Sequence, residues 1–177
     1  MAKYVSAKEI SAALQKARVT EERAIVQKMS KLGYDAIMYA YSRRQFKHQT
    51  RNLHDSYGSA VYVNGTLIES SIRYIGGELS QKNDKLTKES GRDTLNDFFR
   101  RSHYGRAKGE IVLVCVAAMY YAKYLEEGRH RGGYKIQVIS AARDYVDQNF
   151  NKYLDTKQRT IVFKGIRPIS NEQSGLL

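Results

Sequence analysis

Three stretches of this chain combine residue types that occur in catalytic or ligand-binding sites. The first, His54-Asp55-Ser56, contains the three side chains of a serine hydrolase triad. A triad requires those side chains to converge on one point, and three consecutive residues project in different directions. Asp55 and Ser56 are better explained as turn and capping residues at the entrance to a hairpin. The tripeptide therefore does not predict a hydrolase.

Glu126 and Glu127 form the second candidate, a pair of adjacent carboxylates. Acid–base catalysis or metal binding would require partner residues at motif spacing, and none is found. A solvated helix end or a salt link between subunits explains the pair better. The four histidines, which show no ligand spacing with one another or with the single cysteine, are His48, His54, His103 and His130. We therefore expect no metal site, no cofactor and no enzymatic activity.

The third candidate is the basic loop Gly128-Arg129-His130-Arg131-Gly132-Gly133. Glycines permit the backbone to approach a phosphate closely, and arginines offer bidentate contacts to its oxygens. The loop lacks the Lys-Ser/Thr ending of a P-loop. Two interpretations stay open: Arg129, His130 and Arg131 contact a DNA backbone, or the loop faces solvent or a partner protein.

The composition is that of a folded, basic protein. Its 177 residues are 42% hydrophobic, and 30 Lys and Arg against 18 Asp and Glu give a net charge of +12. This charge favours an anionic partner, either a nucleic acid or an acidic protein surface. The positive residues are spread over several elements, which argues against a single recognition helix. Each of the 14 tyrosines combines an apolar ring with a polar tip, which suits protein interfaces, although half-buried positions in the sheet and helices explain most of them better.

Cysteine usage and hydropathy indicate the compartment. Cys115 has no partner for an internal disulfide and lies in an apolar run, where a thiol behaves as a small hydrophobic group. No stretch resembles a signal peptide or reaches membrane-spanning length. We expect a soluble protein that is made in a cytoplasm and has no membrane partner.

Hydrophobic periodicity and local signals predict the elements that would position these residues. Ser6 and Glu9 form a capping box before a helical segment from Ala7 to about Arg44. This segment is either one long helix or two abutting ones, because a glycine at position 33 can kink or divide a helix. Asn64-Gly65 is a strong hairpin signal, because both residues tolerate the positive φ of a type I′ turn. The remaining expected elements are hairpin strands at 57–63 and 66–74, a polar loop at 76–91, a helix at 92–101, a basic loop at 102–109, a buried strand at 110–118, a helical turn at 120–125, a strand at 134–138, a helix from 139 to about 155 and an edge strand at 160–163.

These elements predict a small α+β fold. A mostly antiparallel sheet, made of the hairpin and the central apolar strand, would pack against long N-terminal and C-terminal helices. We expect one domain over 1–163 and an extended C-terminal tail over 164–177, a kind of segment that often orders on a neighbouring subunit.

Two short motifs in this order resemble the neck or tail-completion proteins of tailed bacteriophages, a head–tail joining family. The first, before the hairpin, is Thr50-Arg51-Asn52-Leu53-His54-Asp55-Ser56, with Arg51 where glycine is usual in the family. The second, after the apolar strand, is Tyr121-Ala122-Lys123-Tyr124-Leu125-Glu126-Glu127-Gly128. With the flanking helices the resemblance covers residues from about 7 to 155, and it does not account for the insertion at 76–109 or for the tail.

The resemblance implies a structural virion protein of the head–tail connector, or neck. Such a protein forms a sixfold or twelvefold homo-oligomeric ring that joins the portal or adaptor to the tail proteins and lets DNA pass. It would have no enzymatic activity and would be assembled in the host cytoplasm. The residues of the two motifs that would contact a subunit or partner are Asn52, Leu53, Asp55, Ser56, Tyr121, Tyr124, Glu126 and Glu127.

An alternative follows from the charge alone. The basic segments 43–51, 100–108 and 129–131 would suit a sequence-nonspecific nucleic-acid-binding protein, whose affinity for DNA should fall steeply with salt. A nuclease is the weakest alternative, because the sequence shows no credible carboxylate cluster. A connector should instead assemble with itself or with a portal-like partner.

Overall fold

Within the described residues, a four-stranded sheet has one short helix on one face and two long helices on the other. The structure is a computed structural model that describes residues 6–43, 54–72, 90–119, 122, 126–128, 138–154 and 161–163. Its helices are α1 (Ala7–Ser42), α2 (Gly91–Arg101) and α3 (Val138–Tyr153), and its strands are β1 (Tyr57–Val63), β2 (Thr66–Ile72), β3 (Ile111–Ala117) and β4 (Ile161–Phe163). The predicted α+β fold is confirmed.

Helix α1 begins at the predicted capping box. The Ser6 hydroxyl accepts a hydrogen bond from the Glu9 amide at 3.3 Å, and the Glu9 carboxylate accepts one from the Ser6 amide at 2.8 Å. Both bonds satisfy amides that have no partner inside the helix. The bond from the Ser6 backbone is the main reason that the pKa of the Glu9 carboxyl lies below its ordinary value.

The segment forms one helix and does not divide at Gly33, which confirms the first of the two alternatives that the sequence left open. A Cβ atom on Gly33 would lie 2.7 Å from Leu113 Cδ1 and 2.8 Å from Ser59 Cβ. These separations are shorter than van der Waals contact, so only glycine lets α1 approach the sheet this closely. Gly33 is thus the residue at which α1 crosses β1 and β3.

The hairpin turn has the predicted geometry, with φ of 52° at Asn64 and 81° at Gly65. Strand β1 pairs antiparallel with both β2 and β3, and β4 pairs parallel with β3, so the strand order is β2-β1-β3-β4. The expected edge strand near 160–163 is therefore confirmed. The second hairpin strand ends at Ile72, and the predicted polar loop lies outside the described residues except for its last two positions.

Strand β3 is buried on both faces, as its continuous apolar run predicts. Its odd-numbered residues 113–117 pack in one hydrophobic cluster with α1 and α3, and its even-numbered residues pack in a second cluster with α2. Cys115 is fully buried in the first cluster, and burial raises the pKa of its thiol to about 12. A thiol that stays protonated is a poor nucleophile, so the structure supports a packing role for Cys115.

The predicted strand at 134–138 is wrong at its last residue, because Val138 is the first residue of α3. Residues 134–137 lie outside the described residues, as do most of the helical turn at 120–125 and the whole tail at 164–177. Among the helices that the structure describes, none is long and apolar enough to cross a membrane.

Candidate functional site

Glu126, predicted to contact a partner, caps helix α3 within its own chain. Its Oε1 accepts hydrogen bonds from the amides of Val138 at 2.7 Å and Ile139 at 2.6 Å. Its Oε2 accepts one from the Ser140 hydroxyl at 3.0 Å. A carboxylate here satisfies otherwise unpaired amides and is stabilised by the helix dipole. The second motif therefore positions α3, and contact of Glu126 with a partner stays a prediction.

Asp55 and Ser56 from the first motif lie inside the protein. Ser56 is fully buried, Asp55 is 8% exposed, and both belong to a short 3₁₀ turn that leads into β1. The Ser56 carbonyl accepts a hydrogen bond from the Ala118 amide at 2.9 Å, which ties this turn to the end of β3. Their burial is explained by folding of this chain, and their predicted contact with a partner is not tested by it.

Most of the other residues predicted to contact a partner or DNA lie outside the described residues. They are Asn52, Leu53, Tyr121, Tyr124, Arg129, His130 and Arg131. Glu127 is half-buried beside Glu126. In the part of the chain that the structure describes, no group of three or more His, Cys, Asp or Glu side chains is placed to hold a metal ion.

The hairpin turn and the loop between α2 and β3 form one hydrogen-bonded unit at the end of the sheet. The Asn64 Oδ1 accepts a bond from the Gly109 amide at 2.6 Å, and the Asn64 amide donates to the Glu110 carbonyl at 3.0 Å. The Gly65 carbonyl lies 3.1 Å from His103 Nδ1. The loop is thus attached to the turn at both of its ends.

Exposed cations from two parts of the chain gather at this unit. Arg106 and Lys108 lie on the loop, and a guanidinium nitrogen of Arg18 from α1 lies 3.9 Å from the position a Cβ on Gly109 would occupy. These three cations form no ion pair with any described residue. We call Arg18, Arg106 and Lys108 the basic surface; the sequence placed Arg106 and Lys108 in a basic loop but gave no sign that Arg18 joins them.

The first half of α1 exposes an apolar stripe. Between Ala7 and Ala24 only Glu22 is half-buried, and all other residues are exposed. Ile10 and Leu14 are 50% and 66% exposed, whereas the burial of α1 begins at Val26. The sequence shows apolar residues along the whole helix, and the described fold covers only those of its second half.

A hydrogen-bonded tie joins α1 to α3 near the C-terminal end of α3. The Tyr153 hydroxyl donates to Asp35 Oδ2 at 2.6 Å, and the Lys31 ammonium group donates to the same oxygen at 2.9 Å. Burial raises the pKa of the Asp35 carboxyl, but the bonds from Tyr153 and Lys31 outweigh it and hold this pKa below its ordinary value. The hydrogen bond that Tyr153 donates to Asp35 is the main reason that the pKa of the Tyr153 hydroxyl lies well above its ordinary value. No sequence pattern predicts this tie.

No protein-family model, curated protein or solved structure matches this chain. The described surfaces therefore provide the evidence for function. Of these, the basic surface offers cations to an anionic partner, and the exposed stripe of α1 offers an apolar face to another protein surface.

Proposed function

We propose that this protein is a structural component of the head–tail connector of a tailed bacteriophage. In this role it forms a ring that joins the portal or adaptor to the tail and lets DNA pass. The order of elements supports the proposal: a long helix, a hairpin, a buried strand and a second long helix follow one another as the resemblance implies. The two motifs that carry the resemblance flank the hairpin and the buried strand.

The observation that carries the proposal is the exposed stripe of α1. A ring requires a head-to-tail interface in which one surface of each copy covers a different surface of the next. Ile10 and Leu14 present apolar area that the described part of the chain leaves in water, and removing such area from water is worth about 25 cal/mol per Å². Helical segments gain most of their stability from packing, so the first half of α1 would be stabilised by a neighbouring copy.

The mass of the assembled protein in solution tests this function. Light scattering coupled to size-exclusion chromatography should report a closed oligomer, or a stoichiometric complex when a portal or adaptor protein is added. A strict monomer that ignores those partners would contradict the proposal.

A second candidate function, sequence-nonspecific nucleic-acid binding, is favoured by the basic surface. Arg18, Arg106 and Lys108 carry charges that the described part of the chain does not neutralise through ion pairs. A protein of this kind would bind DNA with a steep salt dependence and would not need to assemble.

A further inference from the structure

We propose that the basic surface of Arg18, Arg106 and Lys108 binds the phosphate backbone of duplex DNA without sequence preference. This inference goes beyond the connector function, because a ring can let DNA pass without contacting it. It deepens the second candidate function by naming duplex DNA as the ligand of this surface, and it holds or fails independently of ring formation.

The loop that carries two of these cations is held in one conformation before any ligand binds. Its Gly109 amide bonds to Asn64 Oδ1, and its residue Gly105 has a φ of 69°, where a Cβ would lie 2.5 Å from Val112 Cγ2. A non-glycine residue at 105 would therefore be strained as well as crowded. A preformed loop loses little conformational entropy on binding, which favours affinity.

The stem of Arg106 lies along the hairpin turn, with its Cγ 3.2 Å from the position a Cβ on Gly65 would occupy. The residue as a whole is exposed, so its apolar stem contacts protein while its charged end remains available to solvent. Lys108 directly precedes Gly109 in the chain. The guanidinium of Arg18, on α1, lies close to Gly109. The three cationic residues therefore lie on or beside one short stretch of the loop, residues 106–109.

Three carboxylates lie close to these cations along the chain, and none of them forms an ion pair with a cation of the basic surface. Glu110 belongs to the same loop, and its Oε2 accepts a hydrogen bond from the Ala107 amide at 3.2 Å. Glu21 and Glu22 follow Arg18 by three and four positions on α1, but neither forms an ion pair with it. Three cations thus stand beside three carboxylates on these two elements, and the excess of positive charge that attracts an anion belongs to the chain as a whole, whose net charge is +12. The field of the whole chain also attracts an anion toward this site.

Exposed cations on different elements suit a polyanion with repeating charges. Duplex DNA carries one negative charge per roughly 1.7 Å of its axis, so several phosphates can meet Arg18, Arg106 and Lys108 together. Lysine and arginine contacts to phosphates position a protein on DNA but read no bases. The surface should therefore bind unrelated duplexes with equal affinity.

The test measures binding of the full-length chain to two fluorescent duplexes of unrelated sequence by anisotropy, over a series of salt concentrations. The Arg18→Gln/Arg106→Gln/Lys108→Gln variant is compared with Lys28→Gln/Arg143→Gln/Lys152→Gln, which removes the same charge from exposed positions on α1 and α3. We expect the first variant to bind at least about tenfold more weakly and to reduce the slope of log affinity against log salt by about 3. The control should change affinity much less.

Equal losses in the two variants would show that affinity follows net charge, and would overturn the assignment. Absence of binding by the unaltered chain would also overturn it. Polyglutamate serves as a competitor: displacement of DNA at an equal concentration of charge would assign the surface to acidic proteins instead. The mass of each variant, measured by light scattering, separates this result from the connector function, since a variant that assembles normally but loses DNA affinity leaves that function intact.

Discussion

The Glu126 carboxylate accepts a hydrogen bond of 2.6 Å from the backbone amide of Ile139, in the first turn of α3. The bond connects the second sequence motif to a helix that packs against α1 and the sheet. Glu126 therefore sets where α3 begins, whatever partner the protein has.

Replacement of this cap should lower the stability of the fold. We expect Glu126→Ala to reduce the free energy of unfolding by about 1–2 kcal/mol, because amides of the first turn lose their acceptor. Urea unfolding followed by circular dichroism measures this change. Asp144→Ala removes an exposed carboxylate from the same helix and should change stability by less than about 0.5 kcal/mol. Equal effects of the two substitutions would contradict the capping role.

The tie between Tyr153 and Asp35 should make stability depend on pH. The folded pKa of Asp35 is lowered, so its contribution is present above the unfolded pKa of about 3.9 and is lost as pH falls through the folded value. We expect Tyr153→Phe to destabilise the protein by about 1–2 kcal/mol at pH 7, since it removes a hydrogen bond to a charged group. This difference should shrink as pH falls below about 4, where the Asp35 carboxyl first becomes protonated in the unfolded chain and, at lower pH, in the folded protein as well.

Urea unfolding at pH 7 and at pH 3 checks the prediction. Tyr34→Phe is the matched control, because Tyr34 lies on the same helix as Asp35 and is 45% exposed. A Tyr153→Phe effect that is the same at both pH values would show that the carboxylate charge contributes nothing to the tie.

Gly33→Ala should destabilise the protein, although alanine is the better helix former by about 1 kcal/mol. The added methyl group would lie within 2.8 Å of Leu113 and Ser59, so the helix must move away from the sheet. Overpacking of this kind costs about 1–3 kcal/mol, which thermal or urea unfolding can detect. Ser11→Ala, in the exposed half of the same helix, should be neutral or slightly stabilising. A stabilising Gly33→Ala substitution would show that the helix and sheet are less closely packed.

Charge placed on the exposed stripe of α1 should prevent assembly without unfolding the protein. Ile10→Glu/Leu14→Glu introduces two carboxylates where the proposed ring interface excludes water, and a buried unpaired charge is strongly unfavourable. Light scattering should then report a smaller species than for the unaltered chain. Ser11→Glu/Gln15→Glu adds the same charge at exposed neighbouring positions. The mass of this control should be closer to that of the unaltered chain. Identical masses for the unaltered chain and both variants would show that the stripe is not part of the interface.

The features that the sequence predicts correctly depend on neighbouring residues. The capping box of Ser6 and Glu9 and the turn at Asn64-Gly65 each follow from backbone geometry within a few positions. The burial of β3 follows from a continuous apolar run, because such a run has no polar side to face water. Short-range rules were therefore enough for the α+β class and for the order of the described helices and strands.

The roles that the sequence could not predict arise between residues far apart in the chain. In the sequence Gly33 looks like a residue that interrupts a helix. Its role in close packing is evident only from the positions of Leu113 and Ser59 in the folded protein. The approach of Arg18 to Gly109 depends equally on how α1 crosses the sheet, and no local pattern encodes that crossing. The same holds for the Tyr153–Asp35 bond.

The amino-acid sequence alone thus determined which elements form and which of their residues are apolar. Only the tertiary structure decided that the apolar stripe of α1 is buried in its second half and left in water around Leu14. The physical reason is that hydrophobic periodicity shows which face of a helix is apolar. It does not show how much of the helix packs against the sheet. That length depends on the extent of the sheet and on where Gly33 allows contact, and these are properties of the packed molecule.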